Sequence, residues 1–124
     1  MLAAFHNTWG WVAVGLCGLV GLGGIGLRLA GRDPSRPFWV GVALAVGAIL
    51  VQVGVGFLLL AQGHEPGNLH VFYGLLILFS LTFAYIYRSQ LAKRPALAWG
   101  LLLLFLMGLG IRAITSFGKN LGLP

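Results

Sequence analysis

The sequence predicts an all-α integral membrane protein, an up-down-up-down bundle of four helices, and three observations carry that prediction. First, 59% of the 124 residues are hydrophobic and 8% are charged, whereas a soluble domain carries about 25% charged residues. Second, the mean hydropathy is +0.96. Third, charge-free stretches run over 1–27, 37–64, 66–87 and 95–111, and a helical crossing needs about 20 mostly apolar residues. Four crossings account for 1–124 as a single transmembrane domain. No soluble catalytic domain, dinucleotide-binding unit or nucleic-acid module fits beside them. The pI near 10.5 does not point to nucleic acid, because the eight bases are scattered and form no basic stripe.

The first helix is expected over about 8–29, an apolar run ending at Arg28. No base precedes it and it is too long for a signal-peptide core, so it is read as a retained helix. Asp33-Pro34-Ser35-Arg36-Pro37 then makes a turn, and the second helix follows over 38–61. Residues 63–68 form the next turn, before a third helix over 69–87. The turn at 89–95 leads into a fourth helix over 96–117, which runs past Arg112 because that long side chain can snorkel to the interface. At 1.5 Å per residue, a helix of about 22 residues spans about 33 Å, close to the hydrocarbon thickness. Connections this short force antiparallel neighbours. Trp9, Trp11, Phe38, Trp39, Phe72, Tyr73, Tyr85, Tyr87 and Trp99 fall near the expected helix ends, where an aromatic belt sits.

Most of the twenty glycines lie inside the helices. Gly15, Gly18, Gly21 and Gly24 recur at steps of three in the first helix. The second pairs Gly41 with Ala45 and Ala43 with Gly47. Small residues let helix backbones approach closely in lipid, so the first set is expected to face a neighbouring helix. A glycine can also clear room for a flat ligand. The single cysteine, Cys17, excludes disulfide frameworks, CxxC redox chemistry, cysteine zinc sites and a covalent c-type haem.

The two halves of the chain echo each other. His6-Asn7-Thr8-Trp9-Gly10 opens the first helix and His70-Val71-Phe72-Tyr73-Gly74 the third. Both read His-x-x-aromatic-Gly, and both lead into an apolar run ending at an arginine, Arg28 or Arg88. Gly54-Val55-Gly56 in the second helix is matched by Gly108-Leu109-Gly110 in the fourth. This is a tandem pair of helical hairpins, and such parallel repeats are related by a pseudo-two-fold axis along the membrane normal. The axis puts His6 and His70 at one depth, facing each other, with Gly10 and Gly74 one turn below them. Two opposed imidazoles above bare helix faces are the arrangement that holds a porphyrin by two axial ligands. A ligating imidazole needs its second nitrogen oriented, and Gln62, Asn7 and Asn68 are the nearby amides, with no choice among them. The plainer alternative makes each histidine an interfacial polar residue, and that is the reading of His64. A zinc site from the three histidines is a further alternative, although structural zinc takes four closed ligands.

These residues resemble one four-helix half of a heme A synthase. Each half in that family has a histidine opening one helix, Gln-x-x-x-Gly in the next and a second histidine opening the helix after. The matching residues are His6, Gln52-Val53-Gly54-Val55-Gly56 and His70, over about 1–87. The resemblance implies that His6 and His70 are axial ligands of a b-type-like haem, with Gly10, Gly74 and Gln52 around it. The family has two such halves, and this chain has the length of one. The acid that precedes the first histidine in the family's catalytic half is replaced by Leu2-Ala3-Ala4-Phe5. Haem binding therefore carries over more readily than oxygenase chemistry, and no catalytic residue is assigned.

The function expected is a small haem-binding membrane protein or subunit in electron transfer or haem handling. Its partners are the lipid bilayer and other membrane subunits or further copies of itself. The alternative is a cofactor-free accessory or assembly subunit of a larger respiratory or photosynthetic complex. Transport is disfavoured, because ion coupling requires an intramembrane ionisable residue and both acids, Asp33 and Glu65, lie in loops. Gln52, midway down its helix, either bonds to a neighbouring helix, with Ser80 and Thr82 as partners, or contacts the ligand.

Arg28, Arg32, Arg36, Arg88, Lys93 and Arg94 flank the first and third turns, against Arg112 and Lys119 on the other side. The positive-inside rule makes those turns cytoplasmic and both termini extracytoplasmic, in the plasma or inner membrane. A cysteine introduced at Ser35 or Ser89 is expected to label only from the cytoplasmic side. Labelling from outside inverts the topology.

Overall fold

The computed structural model describes residues 1–120, and these are all-helical. Four long helices, α1 (Leu2–Leu29), α2 (Arg36–Ala61), α3 (Asn68–Ile86) and α5 (Pro95–Thr115), are each long and apolar enough to cross a membrane, and a single turn, α4 (Arg88–Leu91), precedes the last. Leu19, Leu44, Phe79 and Phe105 are each more than half exposed. Large apolar side chains on every outward face match a lipid solvent and not water.

The ends are set by local chemistry. Gly31 and Gly63 adopt φ of +68° and +91° and close α1 and α2 in the same way. The amide of Arg32 donates to Leu27 O and that of Gly31 to Arg28 O, while His64 donates to Leu59 O and Gly63 to Leu60 O. Each is a Schellman motif, which satisfies carbonyls that have lost their helical partners and favours glycine at the left-handed position. Proline in the first turn starts both α2 and α5, where its fixed φ suits the helix and its missing N–H costs nothing.

The first helix begins six residues earlier than the sequence pattern suggested. His6 therefore sits inside α1 in its second turn. The Trp9 Nε1–H donates to Ala48 O on α2 at 2.9 Å, an interhelical bond.

The strongest packing is between α1 and α5, followed by the α1–α2 and α3–α5 pairs. At the α1–α5 seam a Cβ on Gly24 would stand 2.6 Å from Ala96 O and 2.9 Å from Gly100 Cα. One on Gly21 would stand 3.0 Å from Gly100 O, and one on Gly18 would stand 2.8 Å from the Met107 sulfur. Backbone lies nearly against backbone, and only glycine permits it. Gly15 departs from the expectation: nothing lies within 4 Å of its Cβ position, and it faces outward. At about 100° per residue, the nine steps from Gly15 to Gly24 amount to about 900°, which leaves the two half a turn out of phase.

The hairpin repeat survives only in part. A two-fold axis relating α1–α2 to α3–α5 would pair α2 with α3 as closely as α1 with α5, but α2 and α3 form no comparable seam. The small residues that would allow it, Gly54 and Gly74, face open space.

Gly24→Ala should lower thermal stability in detergent by about 1–3 kcal/mol, the usual result of overpacking. Gly15→Ala should be neutral or stabilising by up to about 1 kcal/mol, the helix-propensity difference. Equal melting of the two variants would remove the α1–α5 seam as the basis of the bundle.

Candidate functional site

The start of α1, the segment that follows α5 up to residue 120 and the α2–α3 turn share one end of the bundle. The Gly118 amide donates to Pro66 O at 2.6 Å and the Leu69 amide to Lys119 O at 3.1 Å, so the C-terminal segment straps that turn. Beneath the strap lies a cavity of about 480 Å³ that draws on all four long helices. Its volume falls within the roughly 300–1,000 Å³ of small-molecule and cofactor pockets. His6, Gly10, Gln52, His70 and Gly74, singled out from the sequence, all line it.

The two imidazoles stand with ring centroids 6.2 Å apart and planes at 76°. His70 is held from α5: its Nδ1 lies 2.6 Å from Ala113 O. A carbonyl only accepts, so Nδ1 carries the proton and the neutral ring keeps its free lone pair on Nε2. Ala113 O lies in the last turn of α5, where carbonyls lack helical donors. It also accepts from the buried Ser116 hydroxyl at 3.2 Å. Phe117 sets its ring edge-on to His70 at 5.4 Å. The group that orients His70 is thus a backbone carbonyl on the neighbouring helix, which no side-chain pattern in the sequence signals. Ser116 and Phe117 were equally silent.

His6 is seated by α2. A Cβ on Gly56 would come within 3.1 Å of His6 Cε1, so the glycine of Gln-x-x-x-Gly makes room for the ring. The Gln52 Nε2–H donates to the His6 peptide carbonyl at 2.7 Å. The bare face of Gly10 is filled by that same carboxamide, 2.8 Å from the position of a Cβ. Gly74, in contrast, opens onto space with nothing within 4 Å. Gln52 does not use Ser80 or Thr82, whose hydroxyls each bond the carbonyl four residues back on α3. Among the described residues His6 Nδ1 and Gln52 Oε1 are buried without a hydrogen-bond partner. Such atoms are costly in an apolar surrounding and mark a place where a polar ligand group or water belongs.

His64 and Glu65 line the cavity from the exposed turn. Among the described residues no three histidine, cysteine, aspartate or glutamate side chains come together as a metal cluster, so a zinc site of three histidines is not assembled. Cys17 is fully buried in the packed core.

The histidine pair permits a direct test of fit. An imidazole nitrogen binds a first-row metal at about 2.0–2.1 Å, and rings with centroids 6.2 Å apart are close enough for both to reach one metal. His6 and His70 are the residues that would hold such a group, beside the open face of Gly74.

Gln52→Leu should remove the bond to the His6 carbonyl and destabilise the protein by about 0.6–2 kcal/mol, the range of interhelical polar bonds in membranes. A detergent melt checks it, and no loss would make the bond incidental.

Compared with known protein families, characterised proteins and solved structures, the chain matches none.

Proposed function

We propose that this is a small membrane haem protein in which His6 and His70 are the two axial ligands, serving electron transfer or haem handling. The observation that carries the reading is the 6.2 Å separation of the imidazole centroids across a cavity formed by all four long helices. The Ala113 carbonyl supports it by accepting from Nδ1 of His70, so that Nε2 is the nitrogen a metal would take. Gly56 and Gly74 support it by leaving room for the His6 ring and for a flat ring system.

Such a group, when bound, supplies one-electron chemistry at an iron with no open position. The chain's own part is to orient and exclude. Ala113 O and Ser116 hold His70, Gln52 tethers α2 to α1 at His6, and the apolar walls keep water out. No side chain is assigned to proton transfer. The finer expectations follow from the same reading: both termini and the cavity lie on the extracytoplasmic side, and the partner is another membrane subunit or a second copy that exchanges electrons or haem. Kinship with heme A synthases rests on His6, Gln52, Gly56 and His70.

Protein purified with haem present should show a Soret band and sharp reduced α and β bands. His6→Ala and His70→Ala should each abolish the low-spin spectrum while leaving helicity unchanged, and His64→Ala should keep it. A colourless parent, or an unchanged spectrum in either ligand variant, overturns the reading in favour of a cofactor-free accessory subunit.

A further inference from the structure

We infer that the cavity is entered sideways, from the hydrocarbon, through the seam between α2 and α3. The ligand chemistry is that of a flat amphiphile dissolved in the bilayer, and its identification as haem rests on the reading above. Three observations meet here. The first is the packing: α1–α5, α1–α2 and α3–α5 are closed, whereas α2 and α3 form no comparable seam. The cavity wall is therefore thinnest between them.

The second is the set of lips. Phe57 and Leu60 on α2 and Leu75 on α3 line the cavity and yet are 45%, 39% and 41% exposed. Side chains that border a cavity and the outside together mark its mouth. At about 1.5 Å per residue, Leu75 lies about 10 Å along α3 from its start and Phe57 about 6 Å from the end of α2, whereas Leu60 is one residue from that end, so the mouth runs from the turn down to hydrocarbon depth. The lips are apolar, so an entering molecule must be soluble in lipid.

The third is the strap. The direct route from water runs past 63–67, where the strap makes two backbone hydrogen bonds, from the Gly118 amide to Pro66 O in the turn and from the Leu69 amide at the start of α3 to Lys119 O. The close approach of Lys119 also leaves no space for a Cβ at Gly67, whose φ is +89°. Opening that route means breaking the strap, whereas the seam has little packing to break. Two glycines serve the cavity: Gly56 receives the His6 ring of α1, and Gly74 on α3 faces open space.

The test adds bulk after folding, in vesicles, on full-length protein carrying Cys17→Ala. A maleimide adduct on Leu75→Cys, at the lip, should slow hemin uptake followed at the Soret band by about tenfold, within the range over which association rates vary among variants. The same adduct on His64→Cys, at the water-facing rim, should leave the rate unchanged. Slowing at His64 alone, or equally at both, overturns sideways entry. A second measurement needs no haem. Gly74→Cys, inside the cavity, should react faster with a lipid-dissolved maleimide than with a charged, water-confined one, and the reverse order overturns the inference. If unmodified protein takes up no hemin, the haem reading falls, and the Gly74→Cys result judges the portal separately.

Discussion

The contact between α1 and α5 is the constraint on which the rest of the bundle depends. Lipid supplies no hydrophobic drive between apolar helices, so close backbone packing has to hold them together. Gly18, Gly21 and Gly24 meet Met107, Leu104 and the backbone around Ala96 and Gly100 at distances that exclude a side chain. That seam joins the α1–α2 hairpin to the α3–α5 hairpin. It thereby brings His6, carried by α1, to His70, which packs on α5. A wider seam would separate the imidazoles.

Drawing α1 and α5 together also explains the asymmetry. Four helices cannot all pack closely when one pair is drawn in by glycine and the glycines of the opposite pair, Gly54 and Gly74, meet no neighbour. The space not filled between α2 and α3 becomes the cavity, and its mouth is the seam that the repeat would have closed. The site is thus what remains after the tightest contact is satisfied.

Three polar side chains within the bundle share one pattern. Trp9 bonds Ala48 O, Gln52 bonds His6 O and His70 bonds Ala113 O, so each side chain meets a backbone carbonyl of a different helix. In a medium without water such bonds fix rotation and register as well as adding stability. Those of Gln52 and His70 lie at the cavity, and that of Trp9 reaches the middle of α2. Among the described residues, the two buried side-chain atoms without hydrogen-bond partners, His6 Nδ1 and Gln52 Oε1, belong to residues that line the cavity. That unspent polarity lies where a ligand would use it.

Composition and charge spacing alone determined that the chain is a four-helix membrane bundle, because the length of an apolar run is a local property that the bilayer reads directly. The doubled His-x-x-aromatic-Gly motif was enough to pair His6 with His70, since equal depth follows from helix direction, and the resemblance carried by Gln-x-x-x-Gly added Gln52. The start of α1 was not legible, because Leu2-Ala3-Ala4-Phe5 carries no stop or cap and simply continues the helix. Which glycines meet a helix was decided by rotation: steps of three drift around an α-helix, so Gly24 reaches α5 and Gly15 does not. Ala113 was invisible because its contribution is a main-chain oxygen, common to every residue and distinguished only by lying in the last turn beside His70. The open α2–α3 seam is likewise a tertiary fact, set by how far α1 and α5 draw together, which no single segment encodes.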